Sequence, residues 1–198
     1  MGHPEPPRAM RRAESEITAR AQLDEILRNA KVLFLSLRDA QAPYVVPVCF
    51  GYETDTLYVH SALSGTKIDL IRADPAVGFS ACTDMILTPG ETACDFSLQA
   101  LSVAGTGRAR ILVDGKERIR GLDLIMRHYS EGDGAGAPVY GVPAERVRPS
   151  GRARTRALPY GVPAERVLAY RANSLSRTCV IAITIESLRG RRLGRRTR

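Results

Sequence analysis

Apolar side chains recur at helical spacing in three stretches of the chain. The first predicts a helix over residues 19–29, with an apolar face of Ile17, Leu23, Ile26 and Leu27. A longer helix is predicted over residues 114–129, and its inward-facing side chains are Ile119, Leu122, Ile125 and Met126. Between them, a short helix is predicted to begin near Gly65, capped by Ser64, and to end ahead of Pro75.

The other apolar runs are typical of β-strands and are joined by turn residues. They lie at residues 31–39, 41–53, 55–62, 76–82, 83–97, 98–112 and 178–188. A turn is predicted at Thr54-Asp55, and Gly105 and Gly107 predict a bulge or a close backbone approach. Hairpin-like links dominate and regular βαβ alternation is absent, so the pattern predicts a mainly β fold, an antiparallel sheet or barrel with peripheral helices.

The run "YVVPVCFGYE" is apolar on both faces of its predicted strand. Val46, Val48 and Phe50 would point to one side, and Val45, Pro47 and Cys49 to the other. A barrel strand needs only one apolar face. The second face would therefore pack on another subunit or on a planar ligand, unless the strand is buried on both sides within one chain.

The stretch "LYVHSALSGTKIDLIRADP" carries the clearest candidate chemistry. A strand ends at His60-Ser61, and a short loop leads into the helix that begins near Gly65. Helix N-termini suit phosphate because their backbone N–H groups are unpaired, and this one adds hydroxyls and an ammonium from Ser61, Ser64, Thr66 and Lys67. The alternative is an ordinary strand–helix turn with a capping serine. Dinucleotide, P-loop, zinc-protease and hydrolase signatures are all missing from the sequence.

Composition and charge narrow the class of protein. The 198 residues suffice for one domain, and neither a secretory signal nor an apolar run of membrane-spanning length is apparent. Four cysteines without a CxxC pair predict buried thiols in a cytoplasmic protein and no metal site. The net charge of +8 combines +12 over residues 146–198 with −4 over the remainder. A basic C-terminal third raises nucleic-acid binding as an alternative, although its end, "RGRRLGRRTR", lacks interleaved aromatic residues.

Two blocks in the chain resemble a known family. The first is "PYVVPVCFGYETDTLYVHSALSGTKIDLIRADPAVGFSA" and the second is "LSVAGTGRARIL". They resemble the FMN-binding split-barrel superfamily of pyridoxamine 5′-phosphate oxidases, and within it the nitroimidazole-resistance branch. The likeness covers about residues 10–129 and 178–188. It implies a six-stranded antiparallel split β-barrel and a homodimer with two FMN sites at the subunit interface.

The resemblance also implies a set of site residues. The residues implied to line the isoalloxazine ring are Pro47, Val48, Cys49 and Phe50. Those implied to border the flavin are His60, Ser61, Ser102 and Val103. Around the ribityl phosphate the resemblance implies Gly65, Thr66 and Lys67. His60 is the implied catalytic residue on the substrate side. No second basic residue adjoins Lys67 in the sequence, and this argues against pyridoxamine phosphate itself as the substrate that is oxidised.

The implied activity is that of an oxidoreductase. NAD(P)H or a similar donor would reduce FMN, which would pass electrons to a small acceptor such as a nitroaromatic compound. The same barrel also hosts non-catalytic flavin and haem binders, and the deazaflavin F420 is an alternative to FMN. Fold alone does not separate these functions.

The sequence "YGVPAERV" occurs twice, at residues 140–147 and 160–167. Two copies are too few for a solenoid, and insertions in surface loops cost little stability. We therefore interpret the repeat as a tandem duplication in a linker over about residues 131–162. The predicted organisation is a flexible N-terminal tail over residues 1–15, one domain over residues 16–188 and a basic tail over residues 189–198.

Overall fold

A computed structural model describes residues 12–90, 92, 96–130 and 176–194. The "YGVPAERV" repeat and Cys94 lie outside the described residues. A 3₁₀ turn at Ala13–Ser15 precedes three helices: α1 Arg20–Asn29, α2 Thr66–Ala73 and α3 Gly115–Ser130. The strands are β1 Glu16–Ile17, β2 Leu33–Leu37, β3 Tyr44–Val48, β4 Phe50–Glu53, β5 Thr56–Ser61, β6 Ala76–Thr88, β7 Ser97–Ile111 and β8 Cys179–Leu193. None of these helices is long and apolar enough to cross a membrane.

The strands form one antiparallel sheet whose two ends meet. The strand order is β3-β2-β6-β7-β8-β5-β4, and β1 pairs with β8 beside that path. Strands β3 and β4 stand at opposite ends of the path, yet a single residue, Cys49, separates them in the chain. The sheet must therefore curl until its ends are adjacent. Since β3 and β4 are not neighbours in the strand order, the barrel remains open between them, as the predicted split barrel requires.

The sheet contains eight strands where the resemblance implied six. One of the additional strands is the two-residue β1, which pairs with Arg191 and Gly190 of β8. The other arises because the predicted strand over residues 41–53 breaks at Cys49 into β3, which pairs with β2, and β4, which pairs with β5. The mainly β split-barrel fold is confirmed, and the difference in strand number comes from these two features.

The core is built by alternation along the strands and by one face of each helix. On β2, the side chains of Leu33, Leu35 and Leu37 are buried. On β5 and β8, residues 57, 59, 181 and 183 point inward and are fully buried. The predicted apolar faces of α1 and α2 cover this core, contributing Leu23, Ile26, Leu27, Ile68 and Ile71. Helix α3 lies on the outer face of β5 and β8, where it buries Leu122 against Val180.

The predicted turn and bulge are both present. Glu53 pairs with Thr56 across the predicted turn, and Thr54 adopts a φ of 54° there. The register between β7 and β8 shifts between Thr106 and Gly107. A Cβ on Gly105 would lie 2.5 Å from the Phe79 ring, so the close backbone approach predicted at this glycine is real.

Two sequence-based boundaries were wrong. We placed the end of the domain at residue 188, but β8 continues to Leu193 because its backbone pairs with both β1 and β7. Arg189, assigned to the basic tail, instead donates to Glu16 at 2.9 Å.

Ser64 does not cap α2, because the N-cap residue is Gly65, whose φ of 124° suits glycine.

Candidate functional site

Strand register brings part of the predicted site together at one end of β5. Phe50 pairs with Val59, so Cys49 and His60 flank that pair on adjoining strands. Ser61, the last residue of β5, pairs with Cys179, the first residue of β8. Helix α2 begins five residues later at Thr66. The break at Cys49, the end of β5 and the start of α2 therefore form one region of the surface.

Strand alternation divides two of the predicted pairs between the two faces of the sheet. His60 is exposed and shares a row with Val180, whereas Ser61 points inward beside buried Cys179. Pro47 and Val48 also point to opposite faces, with Pro47 exposed. Two neighbouring side chains on a strand cannot both border the same planar ligand. Within each pair, His60 and Pro47 are the outward-facing members.

His60 and Lys67 lie close enough for their charges to interact. Partial burial and the charge of Lys67 both lower the pKa of His60, so its imidazole is neutral at pH 7. Burial also lowers the pKa of Lys67 itself. His60, a predicted site residue, thus lies within the influence of the positive charge of Lys67.

The first turn of α2 is open to an approaching group. The N–H groups of Ile68 and Asp69 donate to the Gly65 carbonyl at 2.8 and 3.1 Å, which leaves the amides of Thr66 and Lys67 ahead of the helical hydrogen bonds. No atom lies within 4 Å of the position that a Gly65 Cβ would occupy. Thr66 is exposed and Lys67 is half-buried. Backbone amides, a hydroxyl and an ammonium therefore converge on open space.

Two arginines missed by the sequence analysis join this region. Burial raises the pKa of the Cys179 thiol, and the charges of Arg118, Arg72 and Lys67 oppose that rise. Arg118, on α3, donates from Nη2 to the Thr178 carbonyl at 2.6 Å, which holds its guanidinium at the start of β8. No second basic residue adjoins Lys67 in the sequence, and the fold brings Arg118 to this region from a helix remote in sequence.

Ser102 and Val103 lie far from His60 and Lys67 in the fold of one chain. On β8, Ser102 pairs with Arg191 and His60 pairs with Val180. These two pairing positions are eleven residues apart, which is about 36 Å along an extended strand. Ser102 Oγ donates to the Arg191 carbonyl at 3.3 Å. Val103 is 2% exposed and belongs to the core. Within one chain, these two residues do not converge with His60 and Lys67.

The second apolar face of the run "YVVPVCFGYE" is not covered by any of the residues that the structure describes. Val45 is 55% exposed, and Phe34, the register partner of Pro47 on β2, is 41% exposed. Val46 and Val48, on the opposite face, pack against the core, and Phe50 is 0% exposed. Among the described residues, this strand is therefore buried on one side only. The described residues also form clefts elsewhere on the surface. One of about 490 Å³ lies between the 3₁₀ turn at Ala13–Ser15 and strands β7 and β8, and one of about 380 Å³ lies between β4 and α3. Neither cleft is lined by His60 or Lys67.

Comparison with solved structures identifies similar folds. The chain is similar to a protein from Bacteroides thetaiotaomicron named for 5-nitroimidazole antibiotic resistance, with 23% identity, a TM-score of 0.62, and coverage of 90% of this chain and 87% of that one. It is also similar to the flavocytochrome Anf3 from Azotobacter vinelandii, with 17% identity, a TM-score of 0.63, and coverage of 93% and 72%. An FAD- and haem-binding protein from Mycobacterium smegmatis has 17% identity, a TM-score of 0.62, and coverage of 90% and 73%. At these identities the likeness shows the fold alone.

Sequence comparison gives the family. A search of curated proteins returned no match. The family model described as pyridoxamine 5′-phosphate oxidase matches residues 19–150, which is most of the chain and includes α1, β2 to β7, α2 and α3. The chain therefore belongs to the pyridoxamine 5′-phosphate oxidase family.

Proposed function

We propose that this protein is an FMN-binding flavoprotein that transfers electrons from NAD(P)H or a similar donor to a small acceptor such as a nitroaromatic compound. The observation that carries the proposal is the start of α2, where Lys67 lies near His60 and Arg118 is held at the neighbouring start of β8, while Arg72 pairs with Asp69 at 3.7 Å. Family membership supports the same conclusion. Relatives of the same fold are named for flavin and haem binding, which makes these the alternatives to test.

The residues present fit a phosphomonoester at one end of the site. A phosphate needs cations and hydrogen-bond donors, and the start of α2 supplies two backbone amides, the Thr66 hydroxyl and the Lys67 ammonium. Gly65 leaves the approach free of any side chain. These residues would hold the ribityl phosphate of FMN.

Apolar residues fit the other end of the site. Pro47 and Cys49 are exposed beside His60, and a planar ring would cover them from solvent. When bound, the flavin supplies the redox chemistry, and the protein contributes position and electrostatics. His60 is neutral at pH 7 and can offer a ring N–H as a hydrogen-bond donor to the acceptor. We assign His60 to orienting the acceptor.

The proposed site is completed by a second copy of the chain. Support comes from Ser102, which lies at the far end of β8 from His60, and from an uncovered apolar surface. Beyond Phe34 and Val45, this surface includes the outer parts of β6 and β7, with Met85, Ile86, Leu87 and Leu98 exposed. A monomer rarely leaves this much apolar surface in contact with water.

Light scattering during size-exclusion chromatography should give twice the 21.6 kDa mass of one chain. Burial of the apolar strands between two copies is the expected cause, so the dimer should persist in high salt, which screens charges but not apolar contacts. A monomer at micromolar concentration would contradict the shared site.

Replacing His60 with Ala should lower acceptor reduction about 100-fold and leave FMN affinity unchanged, because the imidazole faces the acceptor and not the phosphate. His60→Gln, which keeps a neutral N–H donor, should retain part of the turnover. Steady-state oxidation of NAD(P)H with a nitroaromatic acceptor provides the rate, and flavin fluorescence provides the affinity. Full turnover in His60→Ala would remove this residue from the mechanism.

The absorption spectrum of the purified protein tests the function as a whole. Bound FMN should give a flavin spectrum, and the released cofactor should be FMN and neither FAD nor F420. A haem spectrum would favour the haem-binding alternative. Bound FMN without turnover of any donor–acceptor pair would identify a non-catalytic flavin binder, and a colourless protein that takes up no flavin would contradict the proposal.

A further inference from the structure

The C-terminal end of α3 closes the open side of the barrel. Three backbone groups lie there, the carbonyls of Ala30 and Lys31 ahead of β2 and the amide of Phe50 at the start of β4. His128 Nε2 lies 2.7 Å from the Ala30 carbonyl. Because a carbonyl only accepts, Nε2 carries the proton. Two neighbouring residues of α3, His128 and Tyr129, thus bind backbone groups ahead of β2 and at the start of β4.

Tyr129 bridges the two sides of this opening with one hydroxyl. It donates to the Lys31 carbonyl at 2.9 Å and accepts from the Phe50 amide at 3.1 Å. Burial raises the pKa of Tyr129, so the hydroxyl stays protonated and can serve as donor and acceptor together. The Phe50 ring is fully buried, and its centroid lies 4.4 Å from the centroid of the His128 ring. Helix α3 therefore contacts the start of β4 through a side chain as well as through the backbone.

The contacts of Tyr129 reach the residues proposed to face the flavin ring. The Cys49 thiol, at the break between β3 and β4, lies near enough to Tyr129 to help raise the pKa of the phenol. Cys49 is exposed, whereas Tyr129 is half-buried. The phenol therefore holds the backbone on one side of the break, close to the side chain at the break itself.

We propose that Tyr129 is a positioning residue for the cofactor ring: it holds the Cys49-Phe50 break in the conformation that receives the isoalloxazine. This inference rests on the proposed function, because it assigns a purpose to the ring-facing segment. Tyr129 need not touch the flavin. It acts through the Phe50 amide, which it ties to the Lys31 carbonyl.

The Tyr129→Phe variant tests the inference, because it keeps the ring and removes only the hydroxyl. In the flavin-free protein, the Phe50 amide should exchange its hydrogen about tenfold faster. With flavin, the dissociation constants of FMN and riboflavin should rise by the same factor, about fivefold, because both ligands share the ring. A general loss of stability would speed exchange at many amides, whereas the proposed bridge predicts faster exchange at the Phe50 amide together with equal losses for the two flavins.

Tyr58→Phe is the matched control. Tyr58 also packs its ring on α3, at Gly121, and its hydroxyl has no part in the proposed bridge. The control should keep wild-type exchange at Phe50 and wild-type affinity for both flavins.

Wild-type amide exchange and flavin affinity in Tyr129→Phe would overturn the inference, and so would a loss confined to FMN. If the wild-type protein bound neither flavin, the proposed function would fail and this inference with it. A wild type that binds both flavins, with an unchanged Tyr129→Phe variant, would overturn the inference alone.

Discussion

Replacing Lys67 with Gln is expected to weaken FMN binding about 10- to 100-fold and to leave riboflavin binding unchanged. A hydrogen bond to a charged group contributes about 1.5–3 kcal/mol, and that contribution is lost when the ammonium is removed. Riboflavin has the same ring and ribityl chain but no phosphate, so it does not use Lys67. Titration of each flavin into the flavin-free protein, followed by fluorescence quenching, gives the two dissociation constants.

Lys116→Gln is the control for this comparison. Lys116 is an exposed lysine in the first turn of α3, and its loss changes the net charge of the protein by the same amount. It should leave both affinities at the wild-type value. If Lys67→Gln and Lys116→Gln weakened FMN binding equally, the effect would be one of overall charge. The start of α2 would then not be the phosphate site.

Gly51→Ala is expected to destabilise the protein by about 3 kcal/mol. Helix α3 crosses β4 so closely that a Cβ on Gly51 would lie 2.5 Å from the carbonyl carbon of Leu124 and 2.6 Å from the Ile125 nitrogen. Backbone atoms cannot move aside as a flexible side chain does, so the helix must shift as a unit. Because α3 carries Arg118 and Tyr129, the shift should also weaken FMN binding. Urea denaturation gives the change in unfolding free energy.

Gly78→Ala makes the same substitution in a strand where space is available. The nearest atom to its Cβ would be the Ser36 Cβ at 3.6 Å, an ordinary contact, so its stability should stay within about 0.5 kcal/mol of the wild type. Equal stabilities for Gly51→Ala and Gly78→Ala would show that α3 does not pack on β4 as described.

The elements that local pattern controls could be predicted from the sequence. The apolar faces of α1 and α2 and the turn at Thr54-Asp55 depend on residues close together in the chain, and they lie where the pattern put them. The alternation of Val45 to Phe50 was also correct, including a face that the described part of the chain leaves uncovered. What alternation could not show was the break at Cys49, because the change of pairing partner from β2 to β5 is a property of the closed sheet.

The candidate site was only partly predictable for the same reason. His60, Gly65, Thr66 and Lys67 are local in sequence, and the fold keeps them together. Arg118 and Tyr129 join them only because α3 packs across β4 and β5, and the sequence offered no signal for that contact beyond an amphipathic helix. Conversely, Ser102 and Val103 were assigned by resemblance, and in one chain strand register carries them to the far end of β8. Their contribution depends on the proposed second subunit.

The most direct test of the account is a titration of FMN into the full-length, flavin-free protein, followed by fluorescence and gel filtration. The account predicts saturable binding of one FMN per chain in a dimer, with riboflavin binding more weakly because it lacks the phosphate held at the start of α2. Absence of saturable FMN binding, or equal affinity for FMN and riboflavin, would contradict it.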